Sequence, residues 1–309
     1  GVKIRLLFKQ TSHQQQEVFN MFNLIRLSFV TIITTLILSF SNTAFAVFDN
    51  ETEGTAVAVC STTAAMMTAG GDCRTTPSKF EISVFEMGVC TSHPFTNDGT
   101  KTDISTMDKA TCSVTFSATD QTNGSVIDIA TAIGGSMDLV GTSTRPANGT
   151  YGFPYIILGE KFTVGISIVG FDGNTYNGDS NGAVASGGTL ADSDDYLRNF
   201  GGPNCSSGFE DAVIAIGTLD AFLTNSSLVR SERLQVDASN LCNNVGRLVG
   251  IINLTTPFTI TSNTLKMQFN FVVTDYGVEL TDSGSDGYPD EYGSAPFSGT
   301  FTITEAPAQ

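Results

Sequence analysis

Alternation of apolar and polar residues with a period of two is the feature that most limits what this chain can fold into. Phe80, Ile82 and Val84 alternate with Glu81 and Ser83, and Cys112, Val114 and Phe116 alternate with Ser113, Thr115 and Ser117. Phe162, Val164, Ile166 and Ile168 alternate with Thr163, Gly165 and Ser167. The clearest run sets Met267, Phe269, Phe271 and Val273 against Gln268, Asn270, Val272 and Thr274, and Phe301 and Ile303 close the chain in the same style. A strand turns successive side chains to opposite faces, so this period describes sheets with one buried face and one wet face. After Val84 the phase slips and Phe85, Met87 and Val89 carry the apolar series, as an inserted residue at a β-bulge would cause.

Shorter apolar runs at 55–60, 126–130, 155–158, 212–217 and 247–252 add candidate strands, with Gly, Asn, Asp and Ser clusters between them. Short helices are expected only at 219–223 and near 192–197. The pattern predicts an all-β chain, an antiparallel β-sandwich. The stretch 176–207 is rich in Gly, Asp and Ser and reads as a loop or linker. It would divide two packed sandwich modules, 47–175 with four cysteines and 208–309 with two. A single elaborated sandwich is the other arrangement.

Residues 21–46 read as a secretory signal peptide. Met21 opens a short region holding Arg26, the apolar run Leu27–Phe40 follows, and Ala44 and Ala46 form an A-x-A cleavage site. The apolar run is too short to cross a bilayer, which takes roughly 20 residues. Residues 1–20 read as an upstream extension, the alternative being a genuine amphipathic segment around Val2 to Lys9. Cleavage would remove four basic residues and one acidic one, leaving Val47 to Gln309 more acidic than the whole chain.

The formal charge of the whole is −16, with only 15% of residues charged. That balance disfavours nucleic acid and anionic lipid as partners, since both want basic surfaces. The coat must then be mostly uncharged Thr, Ser, Asn and Gly. The six cysteines, Cys60, Cys73, Cys90, Cys112, Cys205 and Cys242, behind an export signal read as disulfides. Proximity favours Cys60–Cys73, Cys90–Cys112 and Cys205–Cys242. Cys90 and His93 make a C-x-x-H, but no second pair supplies the other ligands of a zinc site.

Gly178 to Gly182 matches the nucleophile pattern G-x-S-x-G around Ser180, yet it lacks the flanking strand and helix and a later histidine. Asp282, Asp286 and Asp290 fit positions 1, 5 and 9 of a calcium loop, with Gly287 at the turn. Gly284 and Gly293 stand where two further ligands belong, so calcium is the one cofactor the sequence suggests and the loop is a degraded version of its site. Asp172, Asn174 and Asp179, and Asp192, Asp194 and Asp195, form two further acidic loops. No tryptophan is present for sugar stacking, which leaves tyrosines such as Tyr288 and Tyr292.

The order KFEISVFEMGVC (79–90), SVIDIA (125–130), MDLV (137–140) and ANGTYGFPYIIL (147–158) resembles immunoglobulin-like or prealbumin-like β-sandwich modules of secreted bacterial proteins. The resemblance implies a two-sheet architecture and carries no active site. The first expectation is therefore a secreted structural or adhesive cell-surface protein without catalytic activity, such as a filament or surface-assembly subunit, whose partners are copies of itself or other surface proteins. Its terminal strand at 299–304 could pair with a neighbour. The alternatives are a secreted glycan- or ligand-binding module, calcium-dependent or not, and a glycosidase using paired carboxylates.

Overall fold

The computed structural model describes residues 2–7, 57–95, 106–198, 200, 208–214, 216–230, 244–295 and 298–306. It is built from strands and one short 3₁₀ turn, Ile129–Ala132. The strands of the first part are β1 Val2–Leu7, β2 Asp72–Thr75, β3 Lys79–Cys90, β4 Cys112–Ala118, β5 Ser125–Asp128, β6 Ser136–Met137, β7 Gly141–Ser143, β8 Gly149–Tyr151, β9 Phe153–Gly159, β10 Lys161–Gly165 and β11 Ser167–Val169. Those of the second are β12 Thr175–Gly178, β13 Val184–Ser186, β14 Ser193–Tyr196, β15 Phe209–Ile214, β16 Gly217–Thr224, β17 Arg247–Leu254, β18 Phe258–Ile260, β19 Thr264–Val272, β20 Val278–Thr281, β21 Glu291–Ser294 and β22 Ser298–Glu305.

Ten strands form the main sheet, ordered β14-β10-β3-β9-β17-β16-β15, with β4 and β5 paired to β3 and β7 paired to β4. A four-stranded sheet runs β22-β19-β1-β6, and three small sheets complete the set. Between these strands pairing is antiparallel, except that β1 runs parallel to β6.

Along β3, β9, β16 and β17 the main sheet is packed on both faces. Phe80, Ile82, Val84, Ile156, Leu158, Leu248 and Ile252 share one core with Met267, Phe269 and Phe271 of β19, so this face packs on the four-stranded sheet. Phe85, Tyr155, Ile157, Val249 and Ile251 enter a second core with Phe95 and Met107. The register along β3 shifts between Val84 and Glu86 against β9, and between Met87 and Gly88 against β4. Met87 and Val89 thereby return to the first core while Phe85 turns to the second. The phase slip in the sequence is this bulge.

Two features differ from the sequence expectation. The division into modules at 176–207 is not made: β9 pairs with β17, β2 with β20 and β8 with β18, so strands from both halves share sheets. The supposed linker itself holds β12, β13 and β14, short strands whose turns are closed by Asp and Gly rather than by apolar packing. The two expected helices are absent, because 219–223 lies in β16 and 193–196 forms β14. Leu219, Ala221 and Leu223 face one core and Phe222 the other. A strand buried on both sides loses its alternation and resembles a buried helix.

Candidate functional site

The acidic loop between β20 and β21 spends its carboxylates on its own backbone. Asp282, 1% exposed, accepts N–H bonds from Gly70 at 3.0 Å, Gly287 at 2.6 Å and Asp286 at 3.2 Å. Gly287 needs its left-handed φ of 84° to make this turn. Asp290 accepts from the Gly284 N–H at 2.6 Å and the Ser283 hydroxyl at 3.2 Å, and Asp286 accepts from the Tyr288 N–H. Asp282 therefore ties this loop to the turn at Gly70. Burial opposes its ionisation, yet the backbone donors outweigh it and hold its carboxyl below the usual carboxylate value.

A depressed acid stabilises the fold above its unfolded pKa, and the contribution fades as pH falls through the folded value. Asp282→Ala is expected to lower the melting temperature more than Asp286→Ala does, and the gap should shrink as the pH drops below about 4. Thermal unfolding across pH checks this.

The other sequence candidates are placed in the same way. Asp172 accepts from the Asn174 N–H and the Tyr176 hydroxyl, and Asp179 from the N–H groups of Asn181 and Ala183. Ser180 sits in this β12–β13 hairpin turn, beside Gly182 at φ 81°. Asp192 pairs with Lys79 at 3.1 Å, Asp194 binds Lys161 and Thr163, and Asp195 accepts from Ser294, so the three acids point at three different partners. Among the described residues no three His, Cys, Asp or Glu side chains are grouped so as to hold a metal ion. Tyr292 is buried under these loops, its hydroxyl donating to the Asp179 carbonyl at 2.7 Å. Burial, with Asp192 and Asp179 nearby, pushes that phenol up to about 12.

Two polar clusters lie beside the second core. His93 Nε2 meets Asp220 at 3.1 Å, and its ring stands edge-on to Phe153 and Phe222. Lys109 donates to both oxygens of Glu86, which also accepts the Tyr155 hydroxyl at 2.7 Å. Burial first, and the Glu86 charge second, hold that phenol protonated far above its usual range. Sequence reading missed this triad. The one signal was Gly88, where an added Cβ would stand 2.4 Å from the Tyr155 ring.

Cys60 is bonded to Cys73 and Cys90 to Cys112, the latter two being directly opposite on β3 and β4. Cys205, Cys242 and the expected cleavage residues Ala44 and Ala46 lie outside the described residues. No helix among the described residues is long and apolar enough to cross a membrane.

Three further features were not foreseen. A cavity of about 220 Å³ lies between the two sheets, lined mainly by apolar groups including Met87, Leu158, Leu248, Phe269 and Phe301. Tyr288 is stacked between Phe171 and Tyr176, with ring centroids 5.3 and 5.4 Å away. β1 is seated along the edge of β19, Val2 opposite Phe271 through Leu7 opposite Lys266. No known protein family, curated protein or solved structure matches this chain.

Proposed function

We propose that the chain is a structural or adhesive β-sandwich of the cell surface, exported on residues 21–46 and working by association rather than by catalysis. The observation that carries this reading is the use made of the reactive groups. Asp282, Asp290, Asp179, Glu86 and His93 each hold a partner within the fold, where a catalytic site would aim them at a substrate. Two disulfides, Cys90–Cys112 joining the ends of β3 and β4 and Cys60–Cys73 tying residue 60 to β2, suit an oxidising compartment. The partners are other surface proteins or further copies of the chain.

Fractionation of cells producing the full chain tests the reading. Most of the protein is expected in surface assemblies that sediment well above the monomer. Recovery only as a free monomer inside the cell would contradict it.

The intersheet cavity favours a second reading, a module that binds an apolar ligand. Gly250 of β17 lines it, and a Cβ there would meet Ile156 and Leu219 at ordinary contact distances of 3.5 and 3.7 Å. Gly250→Leu is expected to fill the space and abolish uptake of an environment-sensitive alkyl dye while keeping the fold. Unchanged dye uptake would remove the cavity as its site.

A further inference from the structure

β1 is set apart from every other strand by its place in the sequence. It precedes the apolar run Leu27–Phe40 and the A-x-A site at Ala44 and Ala46, whereas the other strands among the described residues follow them. It fills the middle of the four-stranded sheet, hydrogen-bonded to β19 on one side and to β6 on the other. Cleavage after Ala46 would take it away with the leader. With strands about 4.8 Å apart, its loss would leave a slot roughly 10 Å wide between β19 and β6. Along that slot, within Lys266 to Phe271, every second residue of β19 would present an unpaired backbone N–H and C=O, the residues between staying bonded to β22. Such an edge is a template for another strand.

The seated strand shows what chemistry fits. Val2, Ile4 and Leu6 stand opposite Phe271, Phe269 and Met267, all core residues of β19, while Lys3 and Arg5 stand opposite Asn270 and Gln268. In register along the strand, apolar positions are thus paired with apolar ones and basic positions with neutral polar ones. The basic positions also suit a protein whose formal charge is −16. We infer that in the exported protein the place of β1 is taken by a cationic amphipathic strand of a different protein chain, joined to β19 by strand addition. The inference rests on the export reading above and names the surface through which the chain assembles.

The test uses the full chain, expressed with its leader in an exporting host. The exported product is purified, its N-terminus read by mass spectrometry, and a labelled peptide VKIRLL titrated into it. The product is expected to begin at Val47 and to bind one peptide. Binding should slow amide exchange at 266–271 by about tenfold or more. A peptide with proline in place of the isoleucine loses a donor and should bind about tenfold more weakly. An Ala44→Asp/Ala46→Asp chain that keeps β1 attached should be protected at 266–271 and bind no peptide. A cleaved product that folds only once the peptide is added also supports the slot.

Four results overturn the proposal. One is a product beginning at Val47 that binds nothing and is already protected at 266–271. A second is an exported product still carrying residues 2–7, which fills the slot in cis while leaving the export reading intact. A third is a homodimer dissolved by the peptide, which makes the occupant a second copy. The last is a chain retained inside the cell uncut, which defeats the export reading as well.

Discussion

Gly88→Val is expected to destabilise the protein by about 3 kcal/mol. Gly88 lies in β3 directly opposite Tyr155 of β9. An added Cβ would stand 2.4 Å from a ring carbon and 2.5 Å from the hydroxyl. The ring cannot swing aside freely, because Tyr155 is 4% exposed and its hydroxyl is tied to Glu86, itself held by Lys109. Moving it would overpack the second core or leave the buried phenol without its Glu86 acceptor. For a chain of this size the melting temperature should fall by roughly 6–10 °C. Gly250→Ala is the matched control. It replaces a strand glycine where a Cβ finds ordinary contacts, and relief of glycine's entropy cost should make it neutral or stabilising by about 0.5 kcal/mol. Equal losses at both positions would mean that Tyr155 does not cover Gly88.

Replacing Cys90 and Cys112 together by serine should cost about 3 kcal/mol. The bond closes a loop with a sequence separation of 22 residues and joins facing positions on β3 and β4. Within that loop Phe95 and Met107 cover the second core, and the Phe95 ring stacks on Phe222 at 4.1 Å. Freeing the loop therefore raises the entropy of the unfolded chain and loosens the lid over Phe85, Tyr155 and Ile157. Denaturant titration of the double variant should show the loss. A reductant should lower the stability of the parent further still, since it also opens Cys60–Cys73.

The sequence made the architecture readable and the grouping of its parts unreadable. Period-two runs marked β3, β4, β10, β19 and β22 because each has a face of contrasting polarity. The bulge in β3 was visible as a slip of phase. The runs in β16 and β17 were harder, since both faces of the main sheet are packed there and apolar residues fill successive positions. The stretch 176–207 looked like a linker because its strands are built on Asp, Asn and Gly turns, with Tyr176 and Val184 supplying the buried positions of β12 and β13.

Composition could name the acids but not their partners. Asp282, Asp286 and Asp290 have calcium-loop spacing, and spacing alone does not show that their oxygens accept backbone N–H bonds. Glu86, Lys109 and Tyr155 are brought together by strand pairing across long stretches of chain, and no local motif announces them. Val2 to Leu7 alternates as a strand does, but its position ahead of a segment that reads as a leader hid its place beside β19.

In the proposed function this sandwich works through association at the β19 edge and not through chemistry. Amide exchange at 266–271, compared between the exported protein in its surface assembly and the same protein released as monomer, tests it most directly. The account predicts slow exchange in the assembly and exchange at least about tenfold faster in the monomer, with the rest of the first core unchanged. Equal protection in both states would contradict it.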